Sequence, residues 1–168
     1  DVGVFLGGHY EAAGHYRPVD NCKMRSLGRS FGPICREQAA ISIMEYSGLI
    51  DSLDPLGEET VEFRRDEKRR IKALGPSPEP TTLKLTWLLD GVEYAAGSER
   101  SLMLTGEDLD EGDHTLELFI EDQTEWVRRE VDSLLHAEAS WKITILPGEV
   151  PPLGTGGAGS GGSDDGSG

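Results

Sequence analysis

The sequence predicts a short α+β segment, then an all-β sandwich, then a Gly/Ser-rich tail. Three observations carry this. Short stretches of alternating apolar and polar residues recur between turn signals from residue 58 to 148. A single helix-like repeat precedes them. Beyond residue 148 the large apolar residues nearly vanish.

The first block, 1–57, opens with Gly3, Gly7, Gly8 and Gly14, which reads as loop. A helix is predicted from about Pro33 to Tyr46. Pro33 suits the first turn, where its missing N–H costs nothing. Ile34, Ile41 and Met44 recur near helical spacing, and Gly48 supplies the stop. Asp54-Pro55 and Gly57 mark the boundary.

In the second block, 58–148, Thr60, Val61 and Phe63 suggest a strand. A charged stretch, Arg64 to Arg70, leads to Ile71 and Leu74. Leu83, Leu85 and Trp87 alternate with Lys84 and Thr86, so one face is buried. Asp90-Gly91 signals a turn. Ser101 to Thr105, His114 to Glu121, and Trp141 to Ile145 are further strands, the last ended by Pro147-Gly148. The region 121–138 accommodates either a helical turn or an irregular strand with its loop, and the second reading is preferred. The tail, 149–168, lacks aromatics and reads as a flexible linker, because it cannot bury enough surface to offset its ordering entropy.

Charge narrows the functions. Acidic residues number 31 and basic residues 16, a formal net charge of −15. That disfavours general nucleic-acid binding and electrostatic attachment to an anionic membrane. No run approaches the roughly 20 apolar residues that span a bilayer. Asp1 stands directly before an apolar run, with no initiator Met and no signal peptide, which reads as a processed or truncated piece.

Cys22 and Cys35 are the only cysteines. A disulfide in an oxidising compartment is the favoured reading, closing a short loop worth about 3 kcal/mol on the chain-entropy argument. The alternative is two buried thiols in a cytosolic protein.

The ordered set Tyr16-Arg17-Pro18, Cys22-Lys23-Met24-Arg25 and Phe31-Gly32-Pro33-Ile34-Cys35 resembles the C-terminal part of the catalytic domain in the IgA-peptidase-like zinc metallopeptidases. The opening GVFLGGHYEAAG is similar to that family's glycine-rich lead-in. LKLTWLLDG, GDHTLELFIED and TEWVRREV are similar to the immunoglobulin-like domain that trails many members. The resemblance implies a zincin-like α+β fragment at 1–57 and an immunoglobulin-like sandwich at 58–148. It also implies Met24 as an apolar floor beneath a zinc site and Tyr16 as an oxyanion donor, against the plainer readings of a gap-filling Met and a packed Tyr.

The departure from the family is large. Its His-Glu-x-x-His helix is missing, since the histidines are His9, His15, His114 and His136 only. Zinc therefore belongs to an intact parent, with no metal ligands expected in this chain. His9 and His15 are read as solvated or hydrogen-bonding residues, and Tyr10 as structural. Arg17 and Arg25 are read as pairing with Glu11 or Asp20. Trp87 and Trp141 are read as core; Trp126 packs over the sandwich end or, exposed, binds a partner or glycan. The charges around Arg36 and in Arg64–Arg70 are read as solvated faces, the second alternatively as an interaction patch.

The leading expectation is thus a C-terminal fragment of a secreted zinc endopeptidase acting on peptide or protein substrates and inactive alone. The alternative is a non-catalytic binding or accessory module, or an inactive relative, that recognises a protein or envelope partner.

Overall fold

The computed structural model describes residues 2–57, 59–128 and 132–148. The expectation for 149–168 lies outside the described residues. The architecture is mixed α+β and mostly strand. In chain order it runs β1 (Phe5–Gly8), β2 (Glu11–Arg17), α1 (Pro33–Ser47), β3 (Ser52–Asp54), β4 (Thr60–Arg64), β5 (Lys68–Leu74), β6 (Leu83–Leu89), β7 (Val92–Gly97), β8 (Ser101–Thr105), β9 (Gly112–Asp122), α2 (Asp132–Leu135) and β10 (His136–Leu146). β1 and β2 form a hairpin of their own. A five-stranded sheet has the order β4-β10-β9-β6-β7, and a three-stranded sheet the order β3-β5-β8.

The period-2 pattern explains the large sheet. In β6 the residues Leu83, Leu85 and Trp87 are buried while Lys84 is exposed. In β9 the same alternation buries Leu116, Leu118 and Ile120, and in β10 it buries Trp141, Ile143 and Ile145. Antiparallel registers set Trp87 opposite Leu118 and Trp141 opposite Leu116. β9 therefore lies between the strands that carry the two tryptophans, whose rings stack with centroids 5.7 Å apart. β4 joins β10 in parallel and adds Val61 and Phe63. Ile71, Ala73 and Leu104 of the small sheet belong to the same apolar cluster, so one core serves both sheets.

Several elements differ from the sequence reading. The glycine-punctuated opening forms the β1–β2 hairpin rather than loop, because a two-residue turn at His9 and Tyr10, both at positive φ, reverses the chain. β3, β5 and β7 lack a clean alternation and rely on their partners for definition. The 121–138 region is strand, loop and one short helical turn, with 129–131 outside the described residues.

The first block reaches the strand-rich part through few but specific links. Leu49 enters the shared core, and β3 pairs with β5, so residues before the boundary at 57 are woven into the small sheet. The Arg100 guanidinium donates to the carbonyls of Leu49 (3.0 Å), Ala73 (3.4 Å) and Pro76 (2.6 Å). Helix α1 buries only Glu37 and Ile41. The Glu37 carboxylate accepts the Arg128 backbone N–H at 2.8 Å and the Arg128 guanidinium at 2.7 Å. The charges around Arg36 are thus not all solvated: Glu37 shares the helix stripe of Ile34 and Ile41 and serves as the anchor.

The expected disulfide is corrected, because Cys22 and Cys35 are free thiols. The Arg25 and Ser26 N–H groups donate to the Cys22 carbonyl at 2.9 Å, and the turn brings backbone N–H groups close to the Cys22 thiol. Those N–H groups, Met24 foremost, hold the Cys22 thiol below its usual pKa. Burial holds that of Cys35 above it. The loop is closed by backbone hydrogen bonds, the Lys23 N–H to the Ser30 carbonyl among them, instead of an S–S bond.

One polar cluster outside the core sets a pH dependence. His114 Nδ1 lies 2.7 Å from Asp90 Oδ2 and Nε2 lies 2.9 Å from the Asp110 carbonyl. Both partners are acceptors, so both ring nitrogens must carry protons for the pair of bonds to form. The bonds to Asp90 and Asp110 raise the His114 pKa, and the bond from His114 lowers that of Asp90. The His114 contribution to stability is full below the unfolded value of about 6.5 and is lost as pH rises through the folded value. The Asp90 contribution is present above about 3.9 and is lost as pH falls through its lowered value. Asp90 is half-exposed, so water screening keeps the pair to on the order of 1 kcal/mol. Urea titrations at pH 6 and 8.5 should show the difference between wild type and His114→Gln shrinking at the higher pH. An unchanged difference would mean that His114 is neutral in the fold.

Candidate functional site

A large concavity lies between α1 and two loops of the strand-rich part. Its volume is about 850 Å³. Phe31, Ile43 and Met44 line the helix side, and Pro78 and Trp126 the loop side. α1 is tied to the strand-rich part through Glu37 and Arg128, while the face that carries Ile43 is left uncovered. Ile43 is 65% exposed and Trp126 59%, values that core residues of these types do not show. The Arg36 guanidinium sits 5.8 Å from the Trp126 ring centroid, and its charge is set against the ring face. Trp126 therefore takes the exposed alternative rather than packing over the sandwich end.

Asp122 and Ser47 of this groove are committed to the fold. Asp122 is buried and accepts from the Thr82 hydroxyl at 2.6 Å and the Thr124 N–H at 3.0 Å. The Ser47 hydroxyl donates to the Ile43 carbonyl at 3.0 Å. Glu79 and Glu125 are exposed at the rim. A nucleophile held against a base does not occur among these residues. The arrangement suits an apolar side chain presented to an aromatic and proline wall.

The residues singled out from sequence lie elsewhere. Tyr16 on β2 is 66% exposed and Met24, in the turn after Cys22, is 72% exposed. Neither lines the groove. The His9 and His15 rings meet edge to face at 5.7 Å at the hairpin tip, where Tyr10 is fully exposed. Arg17 and Arg25 both pair with Asp20, at 3.0 and 3.5 Å. Arg17 also donates to the Leu6 and Gly7 carbonyls, which makes it the pin of the hairpin. Among the described residues no group of three His, Cys, Asp or Glu side chains is placed to hold a metal ion. None of the described helices is long and apolar enough to cross a membrane.

No family model matches the chain, and no curated protein matches it. Two solved structures share part of its shape. One is a quinonprotein alcohol dehydrogenase-like protein from Bacteroides thetaiotaomicron, with 16% identity and a TM-score of 0.37, covering 52% of this chain. This chain spans 17% of that one. The other is a structure of fibronectin(III)-like modules of CbhA from Clostridium thermocellum, with 17% identity and a TM-score of 0.37, covering 54% of this chain and 90% of that one. Likeness at this level assigns neither fold nor function. A metal-binding, disulfide-bonded protease is therefore corrected for this chain: no protease family matches, the thiols are free, and the described residues hold no metal cluster.

Proposed function

We propose that this chain is a non-catalytic binding or accessory module that recognises a protein or envelope partner. On this reading the two sheets act as an immunoglobulin-like sandwich, a rigid support outside the cell or in its envelope. The binding element is the groove beside α1. The observation that carries the reading is the exposure of Phe31, Ile43 and Trp126 around one concavity whose buried carboxylate, Asp122, is already hydrogen-bonded within the fold. Apolar surface left in water at such a place marks a recognition site more often than a reactive one.

The full chain and its Ile43→Glu variant, immobilised side by side, test this on envelope and secreted fractions. The groove residue is solvent-exposed, so the substitution leaves the circular dichroism unchanged. A selectively retained partner, once purified, should bind wild type at micromolar concentration, quench Trp126 and lose at least about tenfold in affinity for the variant, or about 1.4 kcal/mol. Equal retention by both proteins, or peptide hydrolysis by the isolated chain, would overturn the reading.

A further inference from the structure

The chain's basic residues are not spread evenly over its acidic surface. Arg64, Arg65, Lys68, Arg69, Arg70 and Lys72 fall within nine positions, with Asp66 and Glu67 the only acids among them. In β5, Ile71 and Ala73 face the core, so Lys68, Arg70 and Lys72 stand on the outer face of the three-stranded sheet. Their cross-strand partners on β8 are Thr105, Met103 and Ser101. These are the positions where carboxylates would neutralise the row. On the other side only Asp54 answers, 3.7 Å from Lys72. Among the described residues Lys68 and Arg70 have no ion-pair partner.

The strand beside this row is open. Among the described residues β8 pairs with β5 alone and forms one edge of the sheet. Ala73 N–H donates to the Arg100 carbonyl, and Gly106 N–H to the Glu67 carbonyl. Both pairs keep the register of Arg70 opposite Met103, so the ladder bonds alternate through residues 100, 102, 104 and 106. The backbone N–H and C=O groups of Ser101, Met103 and Thr105 therefore point away from β5 to the free edge, and their side chains share the face of the cations.

Edge strands are normally blunted by a charged residue or proline on the edge itself. Here the cations stand one strand inward and leave the edge strand uncharged. They do not block pairing; they select the sign of what pairs.

We infer that β8 is a docking edge for an extended acidic segment of a partner protein, which adds as a further strand. Its main chain pairs with Ser101, Met103 and Thr105, and its alternate Asp or Glu side chains meet Lys68, Arg70 and Lys72. An added strand lies about 4.8 Å from β8 and about 10 Å from β5, a gap that long side chains close over Ser101 and Thr105. The net charge of −15 does not forbid this, since carboxylates beyond about 10 Å are screened at 0.1 M salt while the local row is not. The face shares no residue with the groove beside α1, so either surface can fail without the other.

The test uses the full chain and ten-residue peptides of alternating Thr and Glu, or Thr and Lys. Fluorescence anisotropy at about 0.1 M salt should give the Glu peptide at least about tenfold the affinity of the Lys peptide, an advantage that falls as salt rises further. Arg70→Glu should cost the Glu peptide at least about tenfold. N-methylation along one edge of the Glu peptide should abolish binding while methylation along the other edge leaves it. That control alters no residue of the protein. Amide exchange at Met103 should slow in the complex. Binding that ignores N-methylation, or an alginate polymer that binds as tightly as the peptide, would replace strand addition by plain polyanion attraction and overturn the inference. Equal affinity for both peptides, or for neither, would overturn it as well.

Discussion

Trp141→Ala should lower the unfolding free energy by about 3–5 kcal/mol, the range for deleting a large aromatic from a packed core. Trp141 is 1% exposed and stacks on Trp87, and its Nε1–H donates to the Pro55 carbonyl at 2.8 Å. The substitution removes three things at once: the ring that fills the centre of the large sheet, the support of Trp87, and the tie from β10 to the residues that follow β3. Natural domains have only about 5–15 kcal/mol to lose, so the variant gives up a large share of its stability. Trp141→Phe separates the causes, since it keeps an aromatic ring but deletes the Pro55 bond. Urea unfolding of the three proteins measures this. A loss below about 1 kcal/mol for Trp141→Ala would mean that the shared core does not depend on the tryptophan pair.

The second large effect is expected at Arg100. Its guanidinium binds the carbonyls of Leu49, Ala73 and Pro76, which come from three separate segments. Desolvation lowers its pKa, so its charge is held at a cost that the three acceptors offset. The buried Nε–H has no partner among the described residues, which adds to that cost. The backbone is close here: a Cβ on Gly75 would stand 2.5 Å from the Leu49 carbonyl oxygen, which is why glycine occupies the position. Arg100→Met keeps the stem and deletes the donors, leaving the Leu49 and Pro76 carbonyls short of partners. The expected loss is about 2–4 kcal/mol, two or so charge-assisted bonds. Arg100→Lys should recover only part of it, because one ammonium cannot replicate the planar fork. Denaturant midpoints of the three proteins decide the matter. A neutral Arg100→Met would show that β3 and the packing of Leu49 suffice to hold the first block to the small sheet.

The contrast between sequence and structure follows from range. Helix α1 was legible because its start, repeat and stop are local: Pro33 at the first turn, Ile34, Ile41 and Met44 along the helix, and Gly48 at φ 64° after it. β6, β8, β9 and β10 were legible for the same reason, since alternation repeats every two residues. β3, β5 and β7 were not. The residues Lys68 to Arg70 read as a solvated run, and only pairing with β8 makes them strand. The groove was invisible as well. Its residues come from α1, from the proline-rich loop after β5 and from the loop after β9, three places that no spacing connects. Glu37 had a faint signal, lying on the stripe of Ile34 and Ile41, but its partner Arg128 is 91 positions away.

What the sequence determined by itself is the inventory of local elements and the sign of the surface, because helix repeat, strand alternation, turn residues and net charge are properties of neighbours or of sums. What only the tertiary structure decided is which elements meet. It left the two cysteines as thiols, placed Arg100 across three segments, opened an apolar groove beside α1, and set a row of cations next to an unpaired edge. Each of these is a relation between residues far apart in the chain. Such relations are fixed by the packing of one common core and by the pairing of strands, and composition and periodicity carry no record of either.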